Sequence, residues 1–191
     1  MADFIKAFNK TDKIEGKYSN DSLDAGGETY RGIARNFHPK WEGWELIDLY
    51  KESSAFPTCL EFDHDLDKMV IKFYKSKFWD VNSLDNPVFT QKLAEEMYDS
   101  GVNLGTGRIA ELLQQSLNYL NRNEKLFTSL KIDGSIGTNT FNALKIVMPK
   151  DEEVLLKIIN VLQGMRYLNY ANRKPTQKKY IRGWFTHRIK L

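Results

Sequence analysis

Helical periodicity runs through almost all of this chain and stops between Gly16 and Phe37, and that interruption limits the fold more than any other feature. Apolar side chains recurring at steps of three and four lie on one face of a helix. Phe4, Phe8, Thr11 and Glu15 share such a face, and Leu46, Ile47, Leu49 and Tyr50 predict a short second helix. A longer stripe runs through Phe62, Leu66, Met69, Val70, Phe73 and Lys77 into Phe78-Trp79. Phe89, Leu93, Met97 and Gly101 form another, for which Asn86-Pro87 supplies an N-cap and a first-turn proline. After a break at Gly105-Thr106-Gly107 come Ile109, Leu112, Leu113, Ser116, Leu117 and Leu120. A helix through Phe141, Leu144, Val147 and Met148 should stop at Pro149, and Val154, Leu155, Ile158, Leu162 and Met165 predict a long buried helix. The exceptional stretch holds Gly16, Gly26, Gly27 and Gly32 among polar residues, which suits a turn-rich hairpin or irregular loop. The expected fold is therefore mainly α, with one small hairpin or loop directly after the first helix.

Composition narrows the classes of function. With 191 residues, 41% of them apolar and 28% charged, the chain can bury a full core, and wholesale disorder is excluded. No run reaches the roughly 18 apolar residues of a membrane span. The single cysteine, Cys59, forms no internal disulfide. Residues Met1 to Lys13 lack the continuous apolar core of a signal peptide, so the expectation is a chain made in the cytoplasm. Charge is uneven. Residues 154–191 hold nine Lys or Arg and no Asp or Glu, whereas residues 1–153 hold nineteen against twenty-five, a balance of −6. A basic end on an acidic body attracts polyanions, among them nucleic acid, anionic lipid and bacterial wall polymers; the same pattern also fits a solvated helical face.

Glu15 stands at the end of the first stripe, immediately before a glycine that can stop the helix. Partial burial and the negative end of the helix dipole both disfavour ionisation there and raise the pKa of a carboxyl group. An acid still protonated near neutrality is what a glycosidase uses on a leaving oxygen. Asp24 and Thr29 follow within the glycine-rich stretch, where Asp24 can orient a water or stabilise positive charge at the sugar and Thr29 can position the same water. Before Gly26-Gly27, Asp24 equally suits an Asx turn.

The segments Ile14-Glu15-Gly16-Lys17-Tyr18-Ser19-Asn20 and Asp24-Ala25-Gly26-Gly27-Glu28-Thr29-Tyr30-Arg31-Gly32-Ile33 resemble the N-terminal signature of glycoside hydrolase family 108. The likeness continues through Phe73-Tyr74, Phe78-Trp79 and Tyr98-Asp99-Ser100-Gly101-Val102-Asn103. Asp133-Gly134-Ser135-Ile136-Gly137-Thr138 and Gly183-Trp184-Phe185-Thr186 look like that family's predicted peptidoglycan-binding C-terminal half and its ending. The resemblance implies a lysozyme-like fold and hydrolysis of the bond between N-acetylmuramic acid and N-acetylglucosamine, with Glu15 as catalytic acid. It implies a catalytic region over 1–95 and a helical peptidoglycan-binding region over 96–191, with no linker between them. The order Glu15, Asp24, Thr29 also resembles the triad of phage lysozymes, with one residue fewer before the threonine. Lys17 replaces the family's second glycine, and a cation there opposes the effect of burial on Glu15.

Tyr30 offers an aromatic plane to a sugar. Asp99 and Asn103, four apart on one helix face, either hydrogen-bond the substrate or form buried polar groups closing the helix end. The run Asp63-His64-Asp65-Asp67 lacks a second ligand set and reads as an acidic first turn, so neither metal nor cofactor is expected. The expected partner is peptidoglycan, at the cell wall or periplasm, with a holin or secretion apparatus for export; nucleic acid is the weaker reading. A non-catalytic wall-binding or secretion-assisting protein is the alternative, and a lytic transglycosylase would use the same single acid.

Overall fold

The computed structural model describes residues 1–12, 18–21, 24 and 26–190. The chain divides into two compact units, Phe4–Lys77 and Phe78–Leu191 with Met1–Asp3.

The first unit opens with α1 (Phe4–Asp12). Phe4, Ala7, Phe8 and Thr11 are all buried along one face, as the stripe predicts. Full burial of a side chain of Phe size contributes about 1.5–3 kcal/mol, which fixes the rotation of this short helix. Glu15, the next position in the sequence stripe, lies outside the described residues, as do Gly16 and Lys17. The glycine-rich stretch forms a three-stranded antiparallel sheet of β1 (Tyr18–Asn20), β2 (Glu28–Tyr30) and β3 (Ile33–Ala34), in that order. Tyr18 faces Tyr30 across the first pair, and Tyr30 faces Ile33 across the second. Arg31 (φ 45°) and Gly32 (φ 77°) make the two-residue connection between β2 and β3. Two successive left-handed residues give the twist that matches a right-handed hairpin. Alternation along β2 puts Glu28 and Tyr30 on one face and Thr29 on the other.

Two helices complete this unit, α2 (Gly43–Tyr50) and α3 (His64–Tyr74), joined through a 3₁₀ turn at Thr58–Phe62. Ile33, Ile47, Leu66 and Val70 are fully buried in its core. Asp63 caps α3, its Oδ1 accepting the N–H groups of Asp65 and Leu66, both at 2.8 Å. The acidic run is thus a helix opening. Phe62, expected at the head of the α3 stripe, precedes that cap and is 77% exposed.

A π-type turn, Lys75–Trp79, leads from α3 to the second unit, which contains α4 (Gln91–Leu104), α5 (Thr106–Leu120), α6 (Thr138–Arg173), a 3₁₀ turn (Pro175–Tyr180) and α7 (Ile181–His187). Its core is built on Met97, Ile109, Leu113, Leu117, Leu144 and Ile159, all fully buried. Gly105 joins α4 to α5 alone at φ 92°, where a residue with a Cβ would be strained. Three expectations are corrected. Asn86 does not cap α4: its Oδ1 takes the N–H of Val88 in a local turn, and Thr90 caps the helix through Leu93 N–H. Pro149 lies inside α6, and the break comes two residues later at Asp151 (φ −123°, ψ 18°). Beyond that break the inward face carries Leu155, Ile159, Gln163 and Tyr167, whereas Val154 and Met165 are exposed. Polar Asn160 and Gln163 in the core disguise the true buried stripe.

Candidate functional site

The tip of the hairpin is organised by hydrogen bonds to Gly26 and Gly27. Asp24 Oδ1 accepts the Gly26 N–H at 2.9 Å, and the Asp24 carbonyl accepts the Gly27 N–H at 2.9 Å. This is the Asx-turn geometry that Asp before Gly-Gly suggests. Glycine is required at both positions. A Cβ on Gly26 would sit 2.9 Å from Ala34 Cβ, and one on Gly27 (φ 64°) would sit 2.8 Å from Asn36 Nδ2. Thr29 Oγ1 donates to the Gly27 carbonyl at 3.1 Å. The peptide groups of one glycine therefore hold Asp24 and Thr29 to the same turn. Asp24 is exposed and Thr29 half-buried, and the Thr29 hydroxyl, donating to Gly27, keeps its lone pairs as acceptors.

The turn is anchored by a carboxylate that sequence reasoning passed over. Glu28 is 9% exposed and receives Lys51 Nζ at 2.8 Å, Arg35 Nη1 at 2.7 Å and the Tyr18 hydroxyl at 2.9 Å. Burial alone would raise its pKa, but the hydrogen bonds from Lys51, Arg35 and Tyr18 outweigh that and hold it below the usual carboxylate value. Arg35 also grips Asp48 of α2 through two nitrogens, at 2.7 and 2.5 Å, and lies over the Trp44 ring. The cluster ties the hairpin to α2. Its one sequence signal is the alternation that places Glu28 on the Tyr30 face.

Tyr30, expected at a sugar, is a core residue instead. It is 3% exposed, its hydroxyl donates to the Leu60 carbonyl at 3.1 Å, and its ring stacks on Trp41. Burial pushes its phenol up to about 12. The polar tip that a substrate contact needs is already engaged inside the protein.

Asp99 and Asn103 belong to the second unit and are also engaged there. Asp99 accepts Arg188 Nη1 at 2.5 Å, and the two side chains are 11% and 8% exposed. Asn103 Oδ1 accepts the Tyr167 hydroxyl at 2.7 Å, and that hydroxyl accepts from Gln163 Nε2 at 2.9 Å. One turn earlier, buried Glu96 receives Ser100 Oγ and Lys190 Nζ. The buried-polar reading of this spacing thus describes Asp99, whereas Asn103 is exposed with its Oδ1 taken by Tyr167.

Beside the hairpin, the segment between β3 and α2 and the outer side of α3 enclose a cleft of about 450 Å³. Trp41 and Phe73 form its floor, and His38 meets the Phe73 ring edge-on with centroids 4.8 Å apart. Phe37, 66% exposed, forms the wall nearest the hairpin, its ring within 3.7 Å of the Cβ position of Gly26. Burial, and then the neighbouring Lys77 charge, hold the His38 pKa below its ordinary value, so this ring is neutral at pH 7. The density of aromatic and basic residues from Phe37 to Trp44 was the available sequence signal for this cleft. Among the described residues no group of three or more His, Cys, Asp or Glu side chains is arranged to hold a metal ion. No helix among them is long and apolar enough to cross a membrane.

A carboxylate and a hydroxyl held on one hydrogen-bonded turn, beside an aromatic-floored cleft, suit the activation of water next to a bound ring-shaped substrate. Residues 8–105 match the family model described as Glycosyl hydrolase 108, and residues 109–189 match one described as Predicted Peptidoglycan domain. Among solved structures, that titled "Structure of Brucella abortus SagA" is similar in fold, with a TM-score of 0.51. It shares 18% identity, over 98% of this chain and 96% of that one. No curated protein matches this chain.

Proposed function

Because the chain belongs to the glycosyl hydrolase 108 family and is a peptidoglycan hydrolase, we propose that it cleaves the bond between N-acetylmuramic acid and N-acetylglucosamine with Glu15 as its general acid. In this reading Glu15 protonates the leaving glycosidic oxygen as the bond breaks. Asp24 faces the positive charge that develops on the sugar, orients the attacking water and receives the proton that water loses, while Thr29 Oγ1 accepts a hydrogen bond from the same water. The catalytic region is assigned to 1–95 and the polymer-gripping region to 96–191, with a holin or secretion apparatus supplying the route to the wall.

The observation that supports this reading is the turn itself. Gly27 ties exposed Asp24 and half-buried Thr29 into one turn in the same unit as α1. In the sequence Glu15 follows Thr11, the last described residue of the buried α1 face, by four positions. The test is Glu15→Gln. The variant should keep its fold and its sedimentation with purified sacculi while releasing no reducing sugar ends. Mass spectrometry of the wild-type products should show reducing N-acetylmuramic acid termini, whereas an anhydro sugar would assign a transglycosylase. Equal turnover by the variant removes Glu15 from the chemistry.

A further inference from the structure

Resting on that reading, we infer that the cleft between Phe37–Glu42 and α3 binds the peptide stem of peptidoglycan through its carboxylates, and so selects stem-bearing glycan over bare glycan. Three observations carry this. The first is place: the Phe37 ring that walls the cleft packs against Gly26, whose N–H holds Asp24. A chain branch leaving a sugar at the hairpin reaches the cleft across one aromatic ring.

The second is charge. Lys40, Lys72 and Lys77 line the cleft against one carboxylate, Glu42. Lys72 is paired with Glu42 at 2.9 Å, while Lys40 and Lys77 have no ion pair among the described residues. The unit that holds the cleft is not otherwise basic, so two cations left over at one opening mark a local preference for anions. The N-acetylated glycan backbone is uncharged where its lactyl groups are amide-linked, and gains nothing from this field. The free carboxylates of the attached peptide do.

The third is the floor. Trp41 and Phe73 are buried with one side turned to the cleft, and Met69 lies beside them. Such a surface accepts alanine methyl groups and the methylene chains of longer stem residues. Its neutral His38 adds a hydrogen-bonding edge without adding charge. An apolar floor with cations at its mouth matches a short peptide whose body is aliphatic and which carries several free carboxylates.

The experiment titrates the full chain with the free tetrapeptide L-Ala-γ-D-Glu-meso-diaminopimelate-D-Ala, following tryptophan emission and heat. Chitotetraose serves as the neutral sugar control. Binding of the peptide should weaken with added salt. The Lys40→Gln/Lys77→Gln double variant should bind about fivefold more weakly, the sum of two partly exposed ion pairs. Lys145→Gln, an exposed position in the other unit, should change nothing. Titration with chitotetraose, which carries neither stem nor carboxylate, should give the same result for the double variant and the wild type. Peptide binding that is absent, or unaltered in the double variant, overturns the inference. The two readings fail separately: peptide binding without turnover of sacculi sinks the proposed hydrolysis alone, and turnover without peptide binding sinks only the stem site.

Discussion

Truncating Arg188 to alanine would leave the Asp99 carboxylate inside the second unit without the guanidinium that meets it. The two side chains are 8% and 11% exposed and 2.5 Å apart, so water can replace little of what is lost. Breaking a buried pair by removing one partner costs about 3–5 kcal/mol, because the remaining charge stays desolvated. For a chain of this length each kcal/mol moves Tm by about 2–4 °C, so Arg188→Ala should melt roughly 6–20 °C below wild type. Replacing both members with apolar side chains, Asp99→Leu with Arg188→Met, should recover most of that loss, since no charge is left buried. Urea melts followed by far-UV circular dichroism and by tryptophan emission give the four corners of a double-mutant cycle. Emission includes a contribution from Trp184, which stacks on Tyr167 in the same unit with ring centroids 4.9 Å apart. A loss below about 1 kcal/mol in Arg188→Ala, or single-variant effects that simply add, would refute the reasoning.

Three further outcomes are expected. Gly27→Ala should destabilise the first unit by about 1–2 kcal/mol through its positive φ. Adding Asn36→Ala should relieve the side-chain contact but not that backbone cost, and full rescue in a thermal melt would contradict it. Glu28 has a folded pKa below its unfolded value, so its contribution is present above about pH 4.5 and is lost as pH falls through the folded pKa. Urea midpoints measured from pH 7 to pH 3 should fall less steeply in Glu28→Gln than in wild type, and parallel curves would remove Glu28 from the acid response. Gln114→Ala should remove the acceptor of the Asp133 and Gly134 N–H groups, at about 1–3 kcal/mol for two part-buried hydrogen bonds. Hydrogen exchange at those two amides should then speed up well beyond that of the α5 core, and unchanged protection would show another acceptor.

Sequence pattern reached local features and missed contacts between distant residues. The α1 face, the Gly105 corner, the Asp63 helix opening and the Asx turn at Asp24 each depend on residues within one or two turns, and each was legible. Thr90 displaced Asn86 as the α4 cap because Asn86 bonds Val88 in its own turn, a competition that cap preference alone does not resolve. The stripe on the second half of α6 was misjudged because that helix carries apolar residues on two faces. Only tertiary packing decides that Gln163 goes inward and Met165 outward. Sequence alone leaves Tyr30 open as a ligand plane, because nothing in a three-residue strand says which face the core will take. The Glu28, Arg35, Asp48 and Lys51 cluster and the Asp99 and Arg188 pair join residues up to 89 positions apart, where no local periodicity carries a signal.

Gln114 and Asn118 have a consequence for how this chain tolerates change. Between α5 and α6 run residues 121–137 without regular structure, a long connection to leave to chance. Asn118 exchanges two hydrogen bonds with the Leu130 peptide, at 2.7 and 2.8 Å, and one turn earlier Gln114 does the same for the segment from Asp133 to Ser135. Two side-chain amides thus stand in for a neighbouring strand, and the segment docks on a helix as though on a sheet edge. Inserted residues should be absorbed near 122–128, ahead of this docked stretch. A single extra residue between Leu130 and Ser135 would throw both amides out of step at once.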